Sequence, residues 1–521
     1  MNVFAYNFQR RAAQGAFLAL FLLTPALGAE ESRSDSIKKT NPARKKIERP
    51  KANQPEHGKK AGPSSQARKN KAPEKPPRTN KKLNIVFFIM ESVGQQYIFD
   101  TDRGNALPMP FLKKIAQQSL YFTNHFSPAN TTPRSSFSIM SGVYPAPIKK
   151  MFVERKDVRI PSLKQHLSRE YDFFYFYNSP QSWFFPRWFY KNNRVPVYSM
   201  DNVKRRNWGP GPRLGRNEEQ FFRVFQYVLK KKKEPFVAVY HSFAAHYPYF
   251  NFNPRYNVYR DKRLKRPRGR RRLSIFERGY YNNLRLLDEL LKKLFAQLKK
   301  AGVLKNTIVV ITGDHGEAFG TPVGNWTHSR ASFNVNYRVP LIIYHPGLFK
   351  PRQINRRTLH IDILPTLLSV LNVKYDRGLI QGESLLNGKS KRLYDFLYGN
   401  EKTLTAINRK NVKLQYNQGR CWVYYLDRDP GERRKRSCRP HRDQLRALRA
   451  YSRYQTRFLF GYNRALKKKR RYLPGAPPWL QIKHSVKRVA GKEGREKKKR
   501  PLLPGRNTKT NIKKSCSDRA C

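Results

Sequence analysis

In this 521-residue chain, carboxylates and imidazoles stand directly after largely apolar runs, and a threonine stands at the start of a helix. Asn84-Ile-Val-Phe-Phe-Ile-Met90 is followed by Glu91-Ser92. Phe236-Val-Ala-Val-Tyr240 leads to His241 and then to His246-Tyr-Pro-Tyr249, and Thr307-Ile-Val-Val-Ile-Thr312 runs into Gly313-Asp314-His315-Gly316-Glu317. Two carboxylates and an imidazole suit a divalent cation of borderline hardness such as Mn²⁺, Zn²⁺ or Mg²⁺. Each element alone is weak, because an acid after a strand is ordinarily a helix cap and an Asp-His pair is often structural. The segment from Asn130 to Pro145 reads as a loop entering a helix, with Thr132 at the N-cap and Pro133 at the first helical position. A hydroxyl there lies beside unpaired N–H groups and the positive end of the helix dipole, which stabilise an alkoxide or a bound phosphate. Contact with a metal ion would lower its pKa and make it a nucleophile; an ordinary capping threonine is the plain alternative.

The elements that must hold these groups follow from the pattern. Such runs, including Tyr171 to Tyr177 (apolar apart from Asp172) and Val339 to Tyr344, read as strands buried on both faces. Between them lie candidate helices from Pro110 to Ser119, Pro161 to Ser168, Glu218 to Lys232 and Tyr280 to Lys300. The alternation predicts a three-layer αβα sandwich with a large, mostly parallel central sheet. In such sheets ligands bind beyond the carboxyl ends of the strands, where the candidate residues stand.

Lys and Arg total 107 against 35 Asp and Glu, a formal charge of +72. A hydrophobic fraction of 39% and an aromatic fraction of 13% exclude a wholly disordered chain or a histone-like tail protein. Residues 1–29 read as a secretory signal: Arg10 and Arg11, the apolar run Ala16 to Leu23, then a small-residue cleavage zone from Pro25 to Ala29. No later apolar run is long enough to span a bilayer, so the expected location is exported, periplasmic or extracellular. Residues 30–82 read as a disordered basic linker, 83–375 as the catalytic domain, 376–464 as a C-terminal subdomain and 465–521 as a basic tail. The basic runs in linker and tail suit peripheral attraction to an anionic membrane or nucleic acid, and equally suit plain solvation. Most of the positive excess remains on the body, which favours an anionic, polymeric or surface-bound substrate. The arginine-rich segment Lys262 to Arg272 extends that field or is a solvated insertion. Four cysteines, Cys421, Cys438, Cys516 and Cys521, pair most simply as two local disulfides, although three connectivities exist. Nothing points to an obligate protein partner.

Taken in order, the motifs resemble the sulfatase branch of the alkaline phosphatase superfamily. They are Asn84-Ile-Val…Glu91-Ser92, Thr132-Pro-Arg-Ser…Ser141-Gly-Val-Tyr-Pro145, His246-Tyr-Pro-Tyr249, Asn306 to Glu317, His328, Val339-Pro-Leu-Ile, His360 to Leu367, Gly382 to Leu386 and Tyr424 to Glu432. The resemblance implies in-line attack on a phosphoryl or sulfuryl centre through a covalent intermediate. It implies one divalent ion (Mn²⁺, Zn²⁺, Mg²⁺ or Ca²⁺) held by Glu91, Asp314, His315 and Thr132, the last also the nucleophile. Thr131 competes for that role, but the spacing of Thr132 to Gly142 and Pro145 matches the family pattern. His246 and His328 would contact the non-bridging oxygens, and either would protonate the leaving group. Asn178, Trp183 and Arg187 follow another strand and would line the substrate pocket, or form an aromatic core patch.

Departures from the sulfatase pattern define the expected chemistry. Sulfatases carry Cys or Ser at the nucleophile position, oxidised to formylglycine; Thr132 is a secondary alcohol and cannot become an aldehyde. Its proline comes one place early, Ser136 fills the usual Arg position, and Glu91 replaces a pair of aspartates. Threonine with a Glu-Asp-His set looks like the phosphoethanolamine transferases and lipoteichoic acid synthases, which carry several membrane helices absent here. The expectation is a metal-dependent hydrolase or transferase acting on a lipid- or polymer-linked phosphate ester through a covalent threonine intermediate. A sulfuric ester hydrolase of the same fold, or an inactive relative binding anionic polymers or membranes, are the alternatives.

Overall fold

The computed structural model describes residues 79–99, 107–147, 160–179, 195–199, 203, 218–249, 254–262, 272–322, 324–329, 331–399, 403–468 and 477. The expected signal, nearly all of the linker, all but the start of the tail, most of the arginine-rich segment, Trp183, Arg187, Cys516 and Cys521 lie outside these residues.

The strand β1 (Asn84–Met90) shows why the chain folds in layers: all seven side chains are buried. Ile85, Phe87 and Ile89 enter one apolar cluster, while Val86, Phe88 and Met90 enter another on the opposite face. A strand covered on both sides has no polar positions, so the run is uninterrupted. The other members of this sheet are β2 (Leu120–Phe126), β3 (Asp172–Tyr177), β4 (Val197–Ser199), β5 (Phe236–Ser242), β6 (Thr307–Gly313), β7 (Arg338–Tyr344), β8 (Arg352–Ile354) and β9 (Thr358–Leu359). The order is β4-β3-β5-β1-β6-β7-β2-β8, with β9 also paired to β2. From β4 to β6 the pairing is parallel, and β7 runs antiparallel to both β6 and β2. The sheet is therefore mixed and mostly parallel, as the sequence predicts.

Helix Ile275–Lys300 covers one face through Leu284, Leu287, Leu291 and Leu294. It begins five residues before the apolar periodicity suggests, because Ser274 and Glu277 cap each other's backbone N–H groups. Helices Thr132–Ser141 and Ile363–Val370 lie on the other face through Phe137, Met140, Ile363 and Leu367. The expected helix at 161–168 is a single turn, Leu163–His166. Thr132 is the first helical residue and Thr131 the extended residue before it, one place earlier than expected. Gly142 ends that helix at φ 66°, and its carbonyl accepts the N–H groups of Gln381 and Gly382.

A separate antiparallel sheet follows: β10 (Tyr394–Tyr398), β11 (Leu404–Asn408), β12 (Val412–Asn417), β13 (Arg420–Tyr425) and β14 (Arg436–Ser437). Its core includes Phe396, Leu414 and Val423, and meets Tyr451 of helix Arg442–Lys467. Further along that helix Phe458 and Leu459 enter the main-sheet core. Cys421 and Cys438 form a disulfide joining β13 to the segment before the helix.

Candidate active site

Parallel pairing brings the two carboxylates together. Met90 and Gly313 are register partners, so Glu91 and Asp314 leave neighbouring strands side by side. Two local features let them turn inward. Ser92 takes φ 61°, and its N–H donates to Asp314 Oδ1 at 2.9 Å. A Cβ at Gly313 would lie 2.2 Å from the Val93 carbonyl, so only glycine fits there. Both carboxylates are buried, and among the described residues no Lys or Arg forms an ion pair with either.

Thr132 Oγ1 donates to Glu91 Oε1 at 2.9 Å and lies 3.2 Å from His315 Nε2. His315 Nδ1 donates to the Gly316 carbonyl at 3.0 Å, so Nε2 carries a lone pair and faces Asp314 Oδ2 at 3.4 Å, two acceptors with no proton between them. That tautomer, pinned from behind by a carbonyl, is the usual arrangement of a metal-ligating histidine. The Thr131 hydroxyl faces the Arg134 guanidinium instead, at 3.5 Å. His246 stacks on Phe243, donates from Nδ1 to the Tyr247 carbonyl and holds Nε2 3.8 Å from Glu91 Oε1. The His328 ring lies 4.3 Å from that of His315, and its Nδ1 is 3.0 Å from Glu317 Oε2. All of these expected residues meet in one place. Asn178, directly after Tyr177, is buried; its N–H donates to the His241 carbonyl and its side chain to Glu218 at 2.6 Å.

The electrostatics follow from burial. Burial, then the neighbouring Asp314 charge, push Glu91 well above the usual carboxylate range. Asp314 stays below its ordinary value although burial opposes this, because His315, His241 and the N–H groups of Ser92 and His315 favour its charge. Burial lowers His315 and, with the nearby His328, takes His246 down to about 4, so both rings are neutral donors. His328 is raised: burial acts against its charge, but the Glu317 carboxylate outweighs it.

Three groups join the site that sequence reasoning gave no role. Tyr177 donates to Glu91 Oε2 at 3.1 Å. Glu317 accepts from Tyr249 at 2.8 Å and faces His328. His241 projects from β5 beside Glu91 and Asp314, and these three offer ligand atoms within 4.8 Å of one another, a group that could hold a metal ion. Asp314 Oδ2 is buried with no hydrogen-bond partner among the described residues. Two buried carboxylates without a basic partner and neutral imidazoles around them fit a divalent cation. The available signal for His241 was its place directly after the apolar run Phe236 to Tyr240.

A central mixed sheet with its acids and imidazoles at the strand ends defines an enzyme of the sulfatase/alkaline phosphatase superfamily. The sulfatase family profile matches residues 83–373, and the chain belongs to that family. It is 30% identical over 203 residues to the ulvan-active sulfatase of Formosa agariphila, covering 37% of this chain and 39% of that protein. It is 23% identical over 334 residues to lipoteichoic acid synthase 2 of Bacillus subtilis, covering 61% and 49%. The chain thus matches half or less of the length of either relative. Among solved structures, an alkaline phosphatase superfamily protein from Vibrio parahaemolyticus shares the fold at a TM-score of 0.58 and 17% identity, covering 74% of this chain and 88% of that one. Among the described residues no helix is long and apolar enough to cross a membrane.

Proposed function

We propose that the chain is an exported, metal-dependent hydrolase or transferase that acts on a phosphate ester through a covalent intermediate on Thr132. The observation that carries this reading is the Thr132 hydroxyl, held between Glu91 Oε1 and His315 Nε2 at 2.9 and 3.2 Å. A threonine there excludes the aldehyde chemistry of formylglycine sulfatases but leaves a hydroxyl able to attack phosphorus. The reading includes export by residues 1–29, a catalytic domain over 83–375 and a basic linker and tail that favour anionic surroundings.

In the first step Thr132 Oγ attacks phosphorus and the ester P–O bond to the leaving alcohol breaks. Glu91 Oε1 already accepts the hydroxyl hydrogen and is therefore the group placed to take the proton as Oγ attacks. Glu91, Thr132, Asp314 and His315 would hold a divalent ion, which would supply positive charge to favour the Thr132 alkoxide and to offset charge on the phosphoryl oxygens. His328, whose proton is favoured by Glu317, gives it to the departing alkoxide; His246, with its Nδ1 proton held by the Tyr247 carbonyl, presents a lone pair beside Glu91 and packs the site without donating to the phosphoryl oxygens. Water or an alcohol then attacks the phosphothreonine and gives its proton to the now neutral His328, the Oγ–P bond breaks, and Glu91 returns its proton to Thr132 Oγ.

The test is intact and peptide mass after brief incubation with Mn²⁺ and a mixture of phospholipids and small phosphodiesters. A phosphoryl or phospho-head-group adduct on Thr132 supports the reading, and its mass identifies the donor. Product release without an adduct points to fast hydrolysis. Neither adduct nor product, with turnover of a sulfate ester instead, overturns it.

A further inference from the structure

We propose that His241, oriented by Tyr175, is an additional ligand of the divalent ion and biases the site toward Zn²⁺ over Mn²⁺ and Mg²⁺. The inference rests on reading Glu91 and Asp314 as ligands and extends the expected donor set by one imidazole.

His241 stands on β5, the strand between β3 and β1, with Tyr177 and Ile89 as its register partners. Its side chain is wholly buried, and Nε2 lies 3.9 Å from Glu91 Oε2 and 3.8 Å from Asp314 Oδ2. These separations are too long for hydrogen bonds. They suit two atoms bound to one ion: bonds of about 2.0–2.2 Å place ligand atoms roughly 3.0–4.2 Å apart, depending on the angle at the metal. Asp314 Oδ2 points into the same gap with no hydrogen-bond partner among the described residues. Glu91 presents a different oxygen on each side, with Oε1 facing Thr132 and Oε2 facing Tyr177 and His241. The carboxylate therefore spans the space between the nucleophile and the second imidazole.

The orientation of His241 has its own support. Its Nδ1 lies 2.9 Å from the buried Tyr175 hydroxyl, two residues along β3 from Tyr177. When Nδ1 carries the proton and donates it to the Tyr175 oxygen, the Nε2 lone pair faces the carboxylates. Partners of this kind behind a ligating histidine fix the ring and its tautomer, and their loss weakens metal binding about 10–100-fold. Replacing one oxygen donor or water by imidazole favours Zn²⁺ over Mn²⁺ on the general affinity order, and disfavours the oxygen-seeking Mg²⁺ most.

The full-length protein, stripped with a chelator, is titrated with Zn²⁺, Mn²⁺ and Mg²⁺ separately, and its Co²⁺ form is followed by visible absorption. His241→Gln is expected to weaken Zn²⁺ at least about tenfold, with a smaller effect on Mn²⁺, and to alter the Co²⁺ spectrum. Tyr175→Phe keeps the ring and removes only the oxygen, and is expected to move Zn²⁺ affinity in the same direction. It also decides the question if His241→Gln does not fold, as judged by circular dichroism of the metal-free protein. Unchanged metal preference and Co²⁺ spectrum in the folded variants would overturn the role of His241, while loss of binding in Glu91→Gln keeps the underlying site. If Glu91→Gln also binds as before, the metal site itself is wrong.

Discussion

His360 Nε2 lies 3.0 Å from the main-chain carbonyl oxygen of Asp314. A carbonyl only accepts, so His360 carries its proton on Nε2 and its Nδ1 must accept. His125 Nε2, 2.9 Å away, therefore donates, and His125 Nδ1 accepts in turn from the Thr358 hydroxyl at 2.9 Å. One directed chain of hydrogen bonds, joined by Ser135 Oγ on the same carbonyl, fixes the backbone where Asp314 and His315 enter the site. His360→Leu is expected to lower folding stability by about 1–3 kcal/mol, through an unsatisfied His125 and a lost bond to Asp314. It should also weaken metal binding. His360→Gln, which keeps an N–H donor, should recover much of both. Denaturant unfolding and calorimetric metal titration check this; equal behaviour of the two variants would remove the chain from the account.

The two adjacent threonines separate cleanly. Thr132→Ala should reduce kcat/KM on a chromogenic phosphodiester by at least about 10³-fold while the protein still binds metal. Thr131→Ala, whose hydroxyl faces Arg134, should stay within a few-fold of the parent. The reverse ranking would transfer the nucleophile to Thr131.

The second sheet supports the site at a distance. Lys413 Nζ and Glu432 Oε1 are 2.6 Å apart and both side chains are buried. Lys413 also donates to the Ser332 carbonyl at 2.7 Å and Asn334 Oδ1 at 2.9 Å, while Glu432 accepts the Asn334 N–H. Asn130, just before the two threonines, donates to the carbonyls of His328 and Ala331, so the same loop is tied at both ends. Lys413→Met leaves Glu432 buried without its cation and should cost about 3–5 kcal/mol. Adding Glu432→Gln should restore part of it. Urea unfolding of the single and double variants measures the difference, and a silent Lys413→Met would show that the pair does not hold the loop.

Acid should destabilise the metal-free protein early. His241, His246 and His360 are each brought to about 4, chiefly by burial. The unfolded chain takes up these protons near pH 6.5, so between about 6.5 and 4 it binds more protons than the native state and stability falls with pH. His328 has the opposite sign: its pKa is raised, so its contribution is complete below about pH 6.5 and is lost as pH rises through the folded value. His125, His315 and His345 are lowered as well, so the imidazoles together give a loss on acidification, which the raised Glu91 and Asp288 carboxyls partly offset. Urea midpoints at several pH values across this window are the measurement, and His360→Gln should flatten the slope. A flat profile would mean these rings are not buried as neutral imidazoles.

Much of this protein was legible along the chain because the relevant information is local. Uninterrupted apolar runs can only be strands covered on both faces, and residues directly after such strands must emerge at the sheet's carboxyl edge. Glu91, Asp314 and His315 therefore stood out from their neighbours, with His246 a few residues beyond another such run; Thr132 was marked by the helix start at Pro133, and His328 only by the resemblance to the sulfatase family. β2, with its alternating burial, and the short β4, β8 and β9 carry no such signal and were not foreseen. Strand order is likewise invisible locally, since it depends on pairing between segments far apart in sequence. Insertion of β5 between β3 and β1 puts His241, Tyr175 and Tyr177 against Glu91. Packing across 81 residues joins Lys413 to the Ser332 carbonyl, and 46 residues separate His360 from the carbonyl it grips. Residue types and strand ends prescribe which chemistry is available; the long-range hydrogen bonds and burial of the folded sheet prescribe which side chains share one ion-sized gap.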